Sequence, residues 1–177
     1  MDVPPILTER LDLVSMPPDL IESLLERRLD YAHRLASFSI PDGWPATADD
    51  HWLEIRLNNL ASHPEHQPWL LRAIVDRQSA GLIGHISFHG PPASGFAELG
   101  YTVLEQHRRQ GYAEESVRGM MRWAFETHGQ STFRLSISPN NEPSLRLAAK
   151  LGFTKVGEQL DPDDGLEYVF ELEYGTS

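Results

Sequence analysis

Apolar residues recur at helical spacing from Ala113 onward, and Ala113, Val117, Met120, Met121, Ala124 and Phe125 fall on one face. Glu114, Arg118, Arg122 and Glu126 step by four residues along the other face, which suits a favourable charge row. Just upstream, residues 98–103 are short, β-branched and aromatic, and predict a strand. Residues 108–111 form the turn between strand and helix. The rest of the chain arranges itself around this unit. Leu11, Leu13 and Ser15 alternate with Asp12 and Val14, predicting a first strand over 11–16. Pro17 and Pro18 then open a helix over 19–29, with Leu20, Leu24, Leu25 and Leu29 as its buried stripe. Thr47 or Asp49 caps a second helix to about residue 61, with Trp52, Ile55, Leu57 and Leu60 facing the core.

Residues 69–76 and 82–89 predict a hairpin around 78–81. In its second strand Gly84, Ile86 and Phe88 share one face, and Ile83, His85 and Ser87 share the other. Gly129 caps the long helix. Phe133, Leu135 and Ile137 alternate with Arg134, Ser136 and Ser138. Asn141 or Glu142 starts another helix, which ends at Gly152. Strands follow over 154–160 and 167–174, the last with Tyr168, Phe170, Leu172 and Tyr174 on one face. The order predicts an α+β fold: a mixed, largely antiparallel central sheet flanked by helices.

Composition narrows the picture. At 177 residues and 40% hydrophobic content, one globular domain over 1–177 is expected. There is no cysteine, so disulfides, thiolate metal sites and a cysteine nucleophile are excluded. No apolar run is long enough to cross a membrane, and the N-terminus lacks a basic-then-apolar signal segment, so a cytoplasmic location is expected. The net charge of −11 disfavours nucleic acid and anionic membranes and tolerates a cationic amine. The histidines show no metal-like spacing with acidic residues, so no metal is expected.

The turn at 108–111 carries the chemistry. A helix starting near Gly111 leaves its first N–H groups unpaired, and its dipole favours an anion there. Glycine lets the backbone approach that anion, and Arg108 and Arg109 add charge. A solvated basic turn at the head of a surface helix is the plainer alternative.

Arg108-x-x-Gly111-x-Ala113, with Val103 five residues before the arginine, resembles the acyl-CoA pyrophosphate signature of the GNAT superfamily of N-acetyltransferases. The run ELGY followed by RRQGYAEES is similar to the branch that includes ribosomal-protein N-terminal acetyltransferases. Asn141-Glu142-Pro143-Ser144, then Lys150-Leu151-Gly152-Phe153, agrees with that branch, as does the opening LTERLDLVSM. Glu105 departs from it, standing where the family often has proline. The resemblance implies a sheet that splays between its fourth and fifth strands, with the pantetheine arm of CoA in the gap. It also implies acetyl-CoA as co-substrate and direct attack by an amine in a ternary complex.

By that resemblance the backbone near Tyr101, Thr102 and Val103 pairs with pantetheine. The N–H groups around Arg108, Arg109, Gln110, Gly111, Tyr112 and Ala113 hold the pyrophosphate. Asn141 bonds the CoA arm or simply caps its helix, and it can do both. Many relatives carry a tyrosine seven residues after this asparagine as acid for the leaving thiolate. Ala148 stands there, which leaves Ser144 as the candidate acid or as a plain first-turn serine. Glu98 is the candidate base, or a structural strand-end carboxylate. His85 and His89, on the preceding strand, titrate in the right range but are more readily structural. Phe38 and Trp44 wall the acceptor site or anchor the core, and Asp161, Asp163 and Asp164 draw a cation or form a solvated turn. The acceptor expected is a protein N-terminal α-amine, with a small-molecule amine or a non-catalytic acyl-CoA sensor as alternatives. A free C-terminal sheet edge allows a homodimer.

Overall fold

The alternating stretches assemble into one sheet, seen in a computed structural model that describes residues 3–175. The strands are β1 (Ile6–Leu7), β2 (Leu11–Ser15), β3 (Arg72–Asp76), β4 (Gly81–Phe88), β5 (Ala97–Val103), β6 (Thr132–Ile137), β7 (Thr154–Asp161) and β8 (Gly165–Glu173). Their order is β1-β2-β3-β4-β5-β6-β8-β7, and every neighbouring pair is antiparallel except β5 with β6. Helices α1 (Pro18–Leu25), α2 (Leu29–Leu35), α3 (Asp50–Ser62), α4 (Tyr112–His128) and α5 (Glu142–Leu151) complete an α+β architecture.

The sheet has a core on each face. Val117, Met120, Met121 and Ala124 of α4 pack with Leu99, Phe88, Phe133 and Leu135 on one side. Leu20 and Leu24 of α1 and Leu53 and Leu60 of α3 pack with Ala73, Val75 and Leu82 on the other. Burying each such side chain contributes about 1.5–3 kcal/mol.

The functionally important irregularity lies between β5 and β6. They pair only at Ala97 with Phe133 and Glu98 with Arg134. Beyond Glu98 the two strands part, so the outer half of β5 faces a gap rather than a neighbour. This is the expected splay between the fourth and fifth strands, counted without the two-residue β1.

Several local expectations need correction. The helix expected over 19–29 ends at Leu25, because Arg27 adopts a left-handed φ of 57°. The Arg28 N–H reaches Ser23 O at 2.9 Å, the closing bond of a Schellman-type end, and Arg27 Nη1 caps Leu24 O at 2.9 Å. The chain restarts as α2, where Leu29 is exposed rather than part of a buried stripe. Ile55 is also exposed, and Leu53 and Leu60 supply the core face of α3. In β4, Ile74 pairs with Gly84 but Val75 pairs with Leu82. Ile83 is therefore the bulged residue, and it joins Ile86 and Phe88 in the α4-side core instead of sharing the face of His85. Phe38 and Trp44 are buried in the α1–α3 core, so they anchor the loop and do not wall an open site.

Candidate active site

A cleft of about 760 Å³ opens where β5 loses its partner. Tyr101, Thr102 and Val103 form its strand wall. Arg108, Arg109, Gly111, Tyr112 and Ala113 form its loop, and Asn141 and Ser144 close it from the start of α5. The structure thus gathers at one place nearly every residue expected to touch the cofactor. Gln110 is the exception: it is absent from the lining, and its carbonyl accepts Arg10 Nη1 at 3.0 Å.

The loop's shape follows from two left-handed residues, Arg109 (φ 60°) and Gly111 (φ 81°). Glycine meets this geometry without strain, whereas Arg109 is held in it. Arg108 secures the loop's base, its Nε donating to Val103 O at 3.0 Å. The result is an open helix end. The first intrahelical bond runs from Glu115 N–H to Gly111 O, and the N–H groups of residues 109–114 find no backbone acceptor among the described residues. Successive free amides at a 17-residue helix's N-terminus form an anion cradle. The Arg109 side chain has no hydrogen bond or ion pair among the described residues. Lys150, by contrast, is bonded to Glu114 at 2.5 Å and holds that carboxyl below its usual range. The free cation of the loop is therefore positioned for a ligand, and the residues present fit a polyanionic CoA.

A brace that the sequence reading did not identify fixes this helix end. Thr8 Oγ1 and Arg10 N–H both bond Glu115 Oε1 at 2.6 Å, and Arg10 Nε bonds Oε2 at 2.7 Å. The guanidinium also lies over the Tyr112 ring at 4.5 Å. Burial works against the Glu115 charge, but these bonds outweigh it and hold the carboxyl below its ordinary value. The only hint in the sequence is the T-E-R triplet before β2, whose partner lies about a hundred residues away.

At the start of α5, Asn141 Oδ1 accepts the Ser144 N–H at 3.3 Å, so the capping role is realised and the amide nitrogen is left for other partners. The Tyr101 hydroxyl is buried and makes no hydrogen bond of normal geometry. Burial raises its pKa, and the neighbouring Ser144 hydroxyl pulls in the opposite direction. An unpartnered buried hydroxyl in a cleft is the kind of group a ligand satisfies.

Glu98 stands at the apex of the splay, on the sheet face turned away from α4. Its Oε1 accepts Ser136 Oγ at 2.5 Å, and His89 Nδ1 lies 3.9 Å away. Gln159 Nε2 links Ser136 Oγ at 3.1 Å to Glu167 Oε2 at 3.0 Å. Glu167 is raised, first by burial and then by Asp161, Asp164 and Glu98, against the Gln159 bond. Of this hydrogen-bonded chain, the sequence points to Glu98 alone. Asp161 Oδ1 accepts the N–H groups of Asp163 (2.8 Å) and Asp164 (3.0 Å), so the acidic run also builds its own turn. His51 of α3 meets Asp163 at 3.4 Å, bringing α3 and the β7–β8 hairpin together over this face. Elsewhere, His63, Glu65 and His66 set donor atoms within 4.8 Å of one another on an exposed turn, a grouping not counted from the sequence.

Fold and cleft define an α+β protein with an opened sheet, whose gap runs on to the free amides at the head of α4. Residues 10–154 match the sequence model described as "Acetyltransferase (GNAT) domain", and the chain belongs to that family. It is 35% identical over 85 residues to YoaA, an uncharacterized N-acetyltransferase of Bacillus subtilis (strain 168), a stretch covering 48% of each protein. The chain thus aligns with about half the length of the curated relatives it matches. Among solved structures, the ribosomal-protein-S5-alanine acetyltransferase of Vibrio fischeri superposes with a TM-score of 0.68 at 18% identity, covering 99% of this chain and 98% of that one. RimL, a ribosomal L7/L12 α-N-protein acetyltransferase in complex with coenzyme A, gives 0.67 at 17%, covering 98% and 99%. At these identities the likeness is one of fold.

Proposed function

We propose that the protein is an acetyl-CoA-dependent N-acetyltransferase, formed by one domain, that acetylates an amine by direct attack in a ternary complex. The observation that carries this reading is the cleft itself: free amides at the head of α4, an unpaired Arg109 and the unpaired edge of β5 line one continuous groove. Family membership and the CoA complex of RimL support it.

Acetyl-CoA supplies the acetyl group already activated as a thioester. The amides of the 109–113 loop hold its pyrophosphate, and the free edge of β5 from Tyr101 to Val103 orients its arm. Glu98, at the apex on the opposite face, takes the proton from the incoming ammonium, with Ser136 fixing the carboxylate. As the C–N bond forms and the C–S bond breaks, the nitrogen loses its second proton to solvent, and Ser144 gives the sulfur a proton, which solvent restores. Among acceptors, a protein N-terminal α-amine is favoured by the ribosomal-protein acetyltransferases among the structural neighbours.

The test is thiol release from acetyl-CoA with a panel of peptides and small amines. Acceptor-dependent release is expected, reduced about 10–100-fold by Ser144→Ala and by Glu98→Gln. Binding of acetyl-CoA without release across the panel would turn the reading toward an acyl-CoA sensor.

A further inference from the structure

Two of the protein's arginines are removed from water in different ways. Arg72 is fully buried, but its guanidinium donates to the carbonyls of Pro4 (3.2 Å), Leu13 (3.1 Å) and Pro68 (3.0 Å). Arg56 is half-buried on α3, and its side chain has no hydrogen bond or ion pair among the described residues. Desolvation alone pulls it below the ordinary arginine value. A partly desolvated charge without a counterion is costly and is retained only when something repays the cost.

The surroundings say where Arg56 lies. One turn earlier, Trp52 stacks on His85 of β4 with ring centroids 4.0 Å apart. Arg56 is close enough to His85 and His89 to add to the desolvation that presses both rings toward neutrality. His85 Nε2 is buried without a partner. His85 pairs across to Thr102, a wall residue of the cleft, so this cluster sits one strand from the groove. The nearby acids are committed: Glu98 to Ser136, and Asp49 to Ala46 N–H and Trp52. The same face therefore carries the Glu98 carboxylate, 3.9 Å from His89, and an unmatched guanidinium.

We propose that Arg56, with His85 and His89 beside it, receives a carboxylate carried by the acceptor. This rests on the transferase reading and narrows it: the amine acetylated belongs to a molecule with a carboxylate close to its amino group. A guanidinium engages a carboxylate through two parallel bonds, which fixes the acceptor's orientation as well as its affinity. The carboxylate comes either from a free amino acid or from an acidic side chain at the start of a peptide.

The experiment pairs acids with their amides. Free amino acids are compared with amino-acid amides, and peptides starting with Asp or Glu with those starting with Asn or Gln. The expected result is at least a tenfold preference in kcat/KM for the acid member of one pair, and which pair shows it identifies the source. Arg56→Gln is expected to collapse the preference, and Arg56→Lys to restore part of it. Calorimetry with the N-acetylated acid and its amide gives a readout that needs no turnover: only the acid binds, and only with Arg56 present. Retained acetyl-CoA affinity in Arg56→Gln, with a melting temperature equal to or above wild type, shows that the arginine is not a structural element. Equal use of acids and amides, or equal loss of both in Arg56→Gln, overturns the proposal. Arg56-dependent binding of the acetylated acid without any transfer would sink the transferase reading and leave the carboxylate site standing.

Discussion

His85 shows how one buried side chain sets a property of the whole protein. Burial pushes its pKa down to about 4, Asp49 opposes that, and Arg56 adds to it. In the unfolded chain an imidazole titrates near 6.5. Between these values the unfolded chain holds a proton that the native protein does not, so stability is undiminished above pH 6.5 and falls as pH drops toward 4. The full loss is about 3 kcal/mol. Urea titrations between pH 7 and pH 4.5 should show this acid limb flattened in His85→Gln. An unchanged slope would mean the native ring is already charged. At this scale the sequence is legible where chemistry is local: Arg109, Gly111 and Asn141 announce themselves by motif, and all three line the cleft. Arg10, Arg56 and Gln159 do not, because each derives its meaning from distant partners, or from the lack of one.

Among the elements, β4 and β5 approach closely beside the cleft at Gly84. A Cβ on Gly84 would come within 2.2 Å of Thr102 O and 3.0 Å of Val103 Cα, both backbone atoms that cannot rotate away. Gly84→Ala should therefore push β5 toward the groove and destabilise the protein by about 1–3 kcal/mol or more. Thermal unfolding would measure the stability, and calorimetry would show acetyl-CoA affinity falling with it. A silent substitution would mean the strands separate freely there. The long periodic helix α4 is readable in the sequence because its apolar stripe persists through Val117, Met120, Met121 and Ala124. The break before α2 is not, since Arg27 takes a conformation that glycine usually signals. The bulge at Ile83 is hidden for a related reason: one inserted residue reverses a period-two pattern without changing composition.

At the level of the whole molecule, a mixed, largely antiparallel sheet flanked by helices follows from the pattern of elements, whereas the contact of α3 with the β7–β8 hairpin over the face opposite α4 does not. The two ladder pairs between β5 and β6 have a further consequence. Among the described residues they are the sheet's only backbone ladder between an N-terminal block of five strands and a C-terminal block of three. The α4-side core joins the two blocks on one face, but their backbone pairing is sparse, and a ligand lying in the gap would add a coupling that the ladder lacks. At a hundredfold excess over its Kd, acetyl-CoA should stabilise the protein by about 2.7 kcal/mol, a rise in Tm of roughly 5–10 °C. Hydrogen exchange should slow on both sides of the seam together, in the outer half of β5 and the facing half of β6. Protection confined to one block would mean that the ligand rests on the sheet without joining its halves.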